Sequence, residues 1–86
     1  MHNLTHHQRA ILEYLDSQGS ATPTEIGMRA GGRTYNQASG WACPKLRELE
    51  QAGIVERDHP RSPYRLTAAG RRALNVARKR EPGGKR

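Results

Sequence analysis

The chain has no phenylalanine, a single tryptophan, a single cysteine and no long apolar run, and each shortage removes a class of protein. Trp41, Tyr14, Tyr35 and Tyr64 are the only aromatics in 86 residues, so the core must rest on Leu, Ile, Val and Ala, and modest stability is expected. A lone Cys43 cannot form an intramolecular disulfide, which fits a reducing compartment. No stretch approaches the ~18 apolar residues of a membrane span, and the opening MHNLTHHQ lacks the hydrophobic region of a signal peptide. A cytoplasmic protein with no membrane association is expected. There is no P-loop, no Gly-x-Ser-x-Gly and no convergent carboxylate pair, so no enzyme is expected. His6 and His7 adjoin and face different ways, and no Cys-x-x-Cys occurs, so neither metal nor cofactor is expected. A chain this short makes one domain that folds alone but holds no deep catalytic cleft.

Acidic residues are scarce in the last third. Residues 57–86 hold 10 Lys and Arg against 2 Asp and Glu, a net +8, whereas residues 1–56 hold 5 against 6, a net −1, giving +7 in all. Such a block attracts a polyanion, and nucleic acid is the commonest one. The alternative is a soluble basic tail with no partner.

What is present is organised around Thr34 to Gly53, TYNQASGWACPKLRELEQAG. At about 100° per residue, Ala38, Ala42, Leu46 and Leu49 fall within one arc, the spacing that buries a helix face. The opposite arc holds Gly40, Pro44, Arg47 and Gln51, with Gln37 at its edge, and faces solvent or a partner. Thr34 and Gln37 fit a capping box, and Gly53 sits where a left-handed residue stops a helix. Pro44 deletes one backbone hydrogen bond and crowds the carbonyl of Gly40. Two geometries follow: a helix from about Tyr35 kinked near Gly40, or one that starts only at Pro44. The first is preferred, because the second leaves a loop of roughly a dozen residues after Ala30.

Around this element the order is regular. Thr5 and Gln8 make a capping-box pair for a first helix, about Thr5 to Gln18, which places Ile11, Leu12 and Leu15 inward and ends at Gly19. After a short extended link, Ser20 to Thr22, the cap Thr22, Pro23 and Glu25 start a second helix, about Pro23 to Ala30, which Gly31-Gly32 break. Ile54 to Arg57 and Tyr64 to Leu66 read as two strands. Between them Asp58-His59-Pro60-Arg61-Ser62-Pro63 is a stiff turn. Thr67 caps a last helix, about Ala68 to Lys79, with Ala69, Ala73, Leu74 and Ala77 inward and Arg71, Arg72, Arg78 and Lys79 outward; Gly70 allows close packing. The boundaries expected are one domain at 1–80 and a disordered basic tail at 81–86.

The segment LRELEQAGIVERDHPRSPYRLTAAGRRAL, residues 46–74, resembles the winged helix-turn-helix transcription regulators of bacteria. The likeness lies in the recognition helix, the glycine, the Ile-Val-Glu-Arg strand, the wing, and the Tyr-Arg-Leu-Thr-x-x-Gly return; the rest matches by element order. Cys-Pro-Lys-Leu-Arg-Glu-Leu is more similar to small phage or mobile-element winged helices. The resemblance implies an α+β, mostly α fold: a three-helix core, a two-stranded wing and a C-terminal helix. It implies sequence-specific binding of double-stranded DNA for transcription regulation, with a recognition helix in the major groove and a wing at the minor groove or backbone. Regulators similar to the multiple-antibiotic-resistance and PadR-like types carry added helices that form the dimer. This chain has little room for them, which leaves a homodimer open.

On that reading the first half of the central helix presents Tyr35, Asn36, Gln37 and Ser39 to bases, with Thr34 at its start and Gly40 allowing close backbone approach. Arg33, Lys45 and Arg47 are phosphate ligands, and Arg61 at the wing tip enters a narrow minor groove or holds a phosphate. The bland counterparts are that Asn36 and Ser39 only cap or turn the chain, that Arg61 is solvated, and that Lys45 lays its stem along the apolar side. Arg57 and Arg65 are expected to pair with Glu56 or Asp58. Trp41 is expected to pack against the first helix or the wing. A winged helix used for protein contact, docking through Trp41, Tyr35 and the Gly40 to Pro44 face, is the rival function, and duplex RNA ends are a third.

Overall fold

The computed structural model describes residues 4–79, and the tail expected at 81–86 lies outside them. The elements run α1 (His6–Gln18), α2 (Pro23–Arg29), α3 (Tyr35–Gln51), β1 (Val55–Glu56), β2 (Arg65–Leu66) and α4 (Ala68–Lys79). Three helices pack as a core, an antiparallel hairpin forms a wing, and the last helix lies against α1 and β2. This is a winged-helix α+β topology.

Local chemistry sets the first two helices. At α1 the Thr5 hydroxyl accepts from the Gln8 N–H (3.1 Å) while the Gln8 side chain accepts from the Thr5 N–H (3.0 Å). Thr22 and Glu25 repeat the arrangement at α2 with Pro23 in the first helical position, where its missing N–H costs nothing. Gly19, at φ 85°, ends α1 and donates its N–H to the Leu15 carbonyl at 2.8 Å. Ile11, Leu12, Leu15, Ile26, Ala42, Leu46 and Leu49 then meet in one cluster with Ile54, Val55, Tyr64, Leu66 and Leu74. Leu, Ile, Val and Ala supply all of it but Tyr64.

α2 lies very close to α3 because Gly27 is buried at their crossing, where a Cβ would fall on the Ala38 carbonyl. The turn between them is tied back to α2 by the Arg33 N–H, which donates to the Gly27 carbonyl at 3.0 Å.

α3 is continuous from Tyr35, so of the two geometries for Pro44 the longer helix is the one adopted. Gly40 and Pro44 are both exposed, which leaves the carbonyl without an N–H partner on the solvated side, where water can serve it. Ala38, Ala42, Leu46 and Leu49 are all buried. The capping box expected of Thr34 and Gln37 does not form. The first turn closes on backbone alone, the Gln37 N–H donating to the Thr34 carbonyl at 3.0 Å, and neither side chain is used. At the other end Gly53, at φ 78°, and Ile54 return their N–H groups to the carbonyls of Glu50 (3.0 Å) and Leu49 (2.9 Å). That paired return is the Schellman ending, and it aims the chain into β1.

In the wing Val55 faces Leu66 and Glu56 faces Arg65. The link at Ser20 to Thr22 contributes more than a connection: Ala21 exchanges both backbone hydrogen bonds with Tyr64 (3.0 and 2.8 Å), adding a third extended segment beside β2. Arg65 pairs with Glu56 (3.1 Å) and Asp58 (2.9 Å) as expected. Arg57 does not. It pairs with Glu50 of α3 at 3.6 Å and donates to the Pro60 carbonyl at 2.7 Å, because it stacks over the Tyr64 ring at 4.6 Å and so points toward α3. Thr67 locks the return: its hydroxyl donates to the Gly53 carbonyl (2.6 Å) and accepts from the Gly70 N–H (2.9 Å). Gly70 permits this, since a Cβ there would fall on the Ile54 carbonyl.

Candidate nucleic-acid interface

The N-terminal half of α3 stands clear of the core. Thr34, Tyr35, Asn36, Gln37, Ser39 and Gly40 are all exposed, Tyr35 to 72% of its surface. Their side chains make no hydrogen bond among the described residues, so the Asn36 and Gln37 amides keep donor and acceptor together, the pairing that reads an adenine edge. At Gly40 nothing lies within 4 Å of the place a Cβ would take, so a surface can approach the backbone there.

The cations divide into two groups. Arg9 pairs with Glu13 (2.9 Å), Arg57 with Glu50, Arg65 with Glu56 and Asp58, and Arg78 with Asp16 (3.4 Å). The four cations singled out from the sequence, Arg33, Lys45, Arg47 and Arg61, have no carboxylate partner among the described residues.

Two of the four are brought together. The Lys45 Nζ lies 4.5 Å from the centroid of the Trp41 ring and the Arg33 guanidinium 5.9 Å from it. At such partly exposed sites a cation over an indole is held by about 1 kcal/mol. Lys45 also donates to the Trp41 carbonyl at 3.4 Å. Arg47 is exposed on the arc of α3 that carries Gly40 and Pro44. At the base of the wing burial pushes the Tyr64 phenol above its ordinary 10.0, opposed by the charges of Arg57 and, more weakly, of Arg47. Arg61 stands apart at the wing tip, exposed, on a turn closed by the Ser62 N–H to the His59 carbonyl at 2.9 Å.

Trp41 packs against α1, through His7, whose ring meets it edge-on at 5.4 Å. His7 is not singled out as part of a site by the sequence, and Trp41 only as an anchor of the rival docking surface, yet both stand beside Lys45. The spacing of Trp41 and Lys45, one helical turn, was a readable signal; the meeting of His7 and Trp41 across two helices was not. Arg29 on α2 and Arg71, Arg72 and Lys79 on the outer face of α4 are also exposed and without carboxylates among the described residues. Among the described residues no helix is long and apolar enough to cross a membrane, and no three His, Cys, Asp or Glu gather as metal ligands. Set against known proteins, the chain matches no family model, no curated protein and no solved structure.

Proposed function

We propose that this protein binds double-stranded DNA sequence-specifically as a transcription regulator of bacterial or phage type. In this reading α3 lies in the major groove and the wing lies at the minor groove or the backbone. One observation carries it: among the described residues the cations beside α3 and at the wing tip are free of carboxylates, as are Arg29 and three on α4, whereas those on α1 and in the wing stem are neutralised. Beside these cations α3 offers polar side chains with no partner among the described residues. Asn36 or Gln37 reads a base edge, Ser39 and Tyr35 add single hydrogen bonds, and Gly40 lets the helix sit deep. Arg33, Lys45 and Arg47 hold phosphates, and Arg61 adds a contact beyond the groove.

Titration of a labelled mixed-sequence duplex at low and moderate salt tests this. Four phosphate contacts give a slope of log affinity against log salt of about −3.6. Selection from a random duplex library then returns an enriched motif. Absence of salt-dependent binding at micromolar protein sinks the reading. The exposure of Tyr35 favours, as a second reading, a protein-docking module, although Trp41, the larger anchor it needs, is packed against Gly31 and His7. Amide shift mapping separates them: DNA perturbs Tyr35 to Ser39 together with Arg61, and a docked protein leaves the wing unmoved.

A further inference from the structure

Lys45 and Arg47 are two residues apart on α3, and at about 100° per residue they leave the helix on nearly opposite sides. Lys45 joins Arg33 over Trp41 on the flank toward α1, and Arg47 lies on the exposed arc with Gly40 and Pro44. Between Lys45 and Arg47 on the exposed arc stand Gln37, Gly40 and Pro44, with the carboxylate of Glu48 beside Lys45. The major groove is about 12 Å wide, close to the diameter of a helix with its side chains, so a helix lying in it has a phosphate chain along each side. Lys45 therefore sits where one wall of a groove would stand, and Gln37, Gly40 and Arg47 lie toward its floor.

The flank toward α1 is the more built of the two. The Trp41 indole is pressed onto Gly31, where a Cβ would lie 2.6 Å from the ring carbon Cε3, and His7 closes its edge at 88°. A ring fixed from two sides presents its electron-rich face in one place. Two cations are drawn to it, and neither forms an ion pair among the described residues, although Glu48 lines the same cleft as Lys45 and His7. Lys45 spends one donor on the Trp41 carbonyl and keeps two, while all five guanidinium donors of Arg33 stay available. A free lysine or arginine loses much rotamer freedom when it fixes a phosphate; here the ring has already confined both.

We infer that Trp41 is the positioning residue of a backbone-phosphate site on the α1 flank of α3, its indole holding Arg33 and Lys45 for one strand of duplex DNA. This rests on the DNA-binding reading and deepens it by assigning the strand contact and the residue that organises it. Trp41 is the only tryptophan, so its emission reports the site directly.

The test uses the full chain and a mixed-sequence duplex, with binding followed both by anisotropy of the labelled duplex and by Trp41 emission. Saturating duplex is expected to change the emission. The double variant Arg33→Gln with Lys45→Gln is expected to lower the salt slope by about two while the motif selected from the library stays the same. Trp41→Phe, which keeps a ring, is expected to bind within about twofold of the parent, and Trp41→Leu to bind about tenfold more weakly with a reduced slope although both cations remain. Thermal melting of each variant separates this from loss of fold. A parent chain that binds duplex with unchanged emission and an unchanged slope in the double variant overturns the site and leaves the DNA reading standing, as does a folded Trp41→Leu that binds as well as Trp41→Phe. A parent that binds no duplex overturns both.

Discussion

At Gly27 an added Cβ would fall on the Ala38 carbonyl, whereas at Gly40 it would meet nothing within 4 Å. Both glycines are helical, so the same substitution has opposite signs at the two sites. Gly27→Ala forces α2 away from α3 and is expected to lose about 1–3 kcal/mol, the usual cost of overfilling a packed contact. Gly40→Ala removes backbone freedom from the unfolded chain without a clash, and is expected to gain about 0.5–1 kcal/mol. Urea unfolding of the pair checks both. If Gly40 also serves close approach to DNA, Gly40→Ala weakens binding while stabilising the fold, a combination that packing alone does not produce.

Among the elements, α3 and the wing each carry a local conflict. Pro44 interrupts the backbone ladder of α3 on its exposed side, so Pro44→Ala restores a donor to the Gly40 carbonyl. It is expected to raise stability by about 2 kcal/mol, the helix-propensity gain less the lost stiffening of the unfolded chain. In the wing the hydrogen bond from Arg65, and then its charge, hold the Asp58 carboxyl below its ordinary 3.8. A carboxyl depressed in the fold contributes fully above its unfolded value, about 3.9, and loses the contribution as pH falls through the lower folded one. Amide protection in the wing is thus expected to be flat across neutral pH and to decline only in acid below about pH 4. Asp58→Asn removes the acid decline. Since the pair is exposed, the global melting temperature should barely move.

For the whole molecule, the distribution of charge matters more than its sum. Arg61 is held out on a wing stiffened by Arg57, which bridges Glu50 and the Pro60 carbonyl. Arg61→Gln is expected to reduce the salt slope of duplex binding by about one. If Arg61 holds a phosphate, affinity drops equally for all sequences; if it enters a minor groove, preference for narrow-groove flanks falls as well. Comparing selected motifs for parent and variant distinguishes these. An unchanged slope removes the wing from the interface.

Much of this architecture could be read in one dimension. The four buried residues of α3, the capping boxes at Thr5 and Thr22, the stop at Gly53 and the turn chemistry from Asp58 to Pro63 are local patterns, set by periodicity and by backbone groups within a few residues. Thr34 and Gln37 carry the same letters as Thr5 and Gln8, yet only the first helix closes its box; the chain enters α3 from a turn tied to α2 through Gly27, a constraint absent from the motif. Which cations are neutralised and which are left free was decided only in three dimensions. Arg57 turns to Glu50, Arg78 reaches Asp16 across 62 residues, and His7 meets Trp41 between two helices. Ion pairing and ring contact fall off within a few ångströms, and those separations exist only once the core has set the helices beside one another.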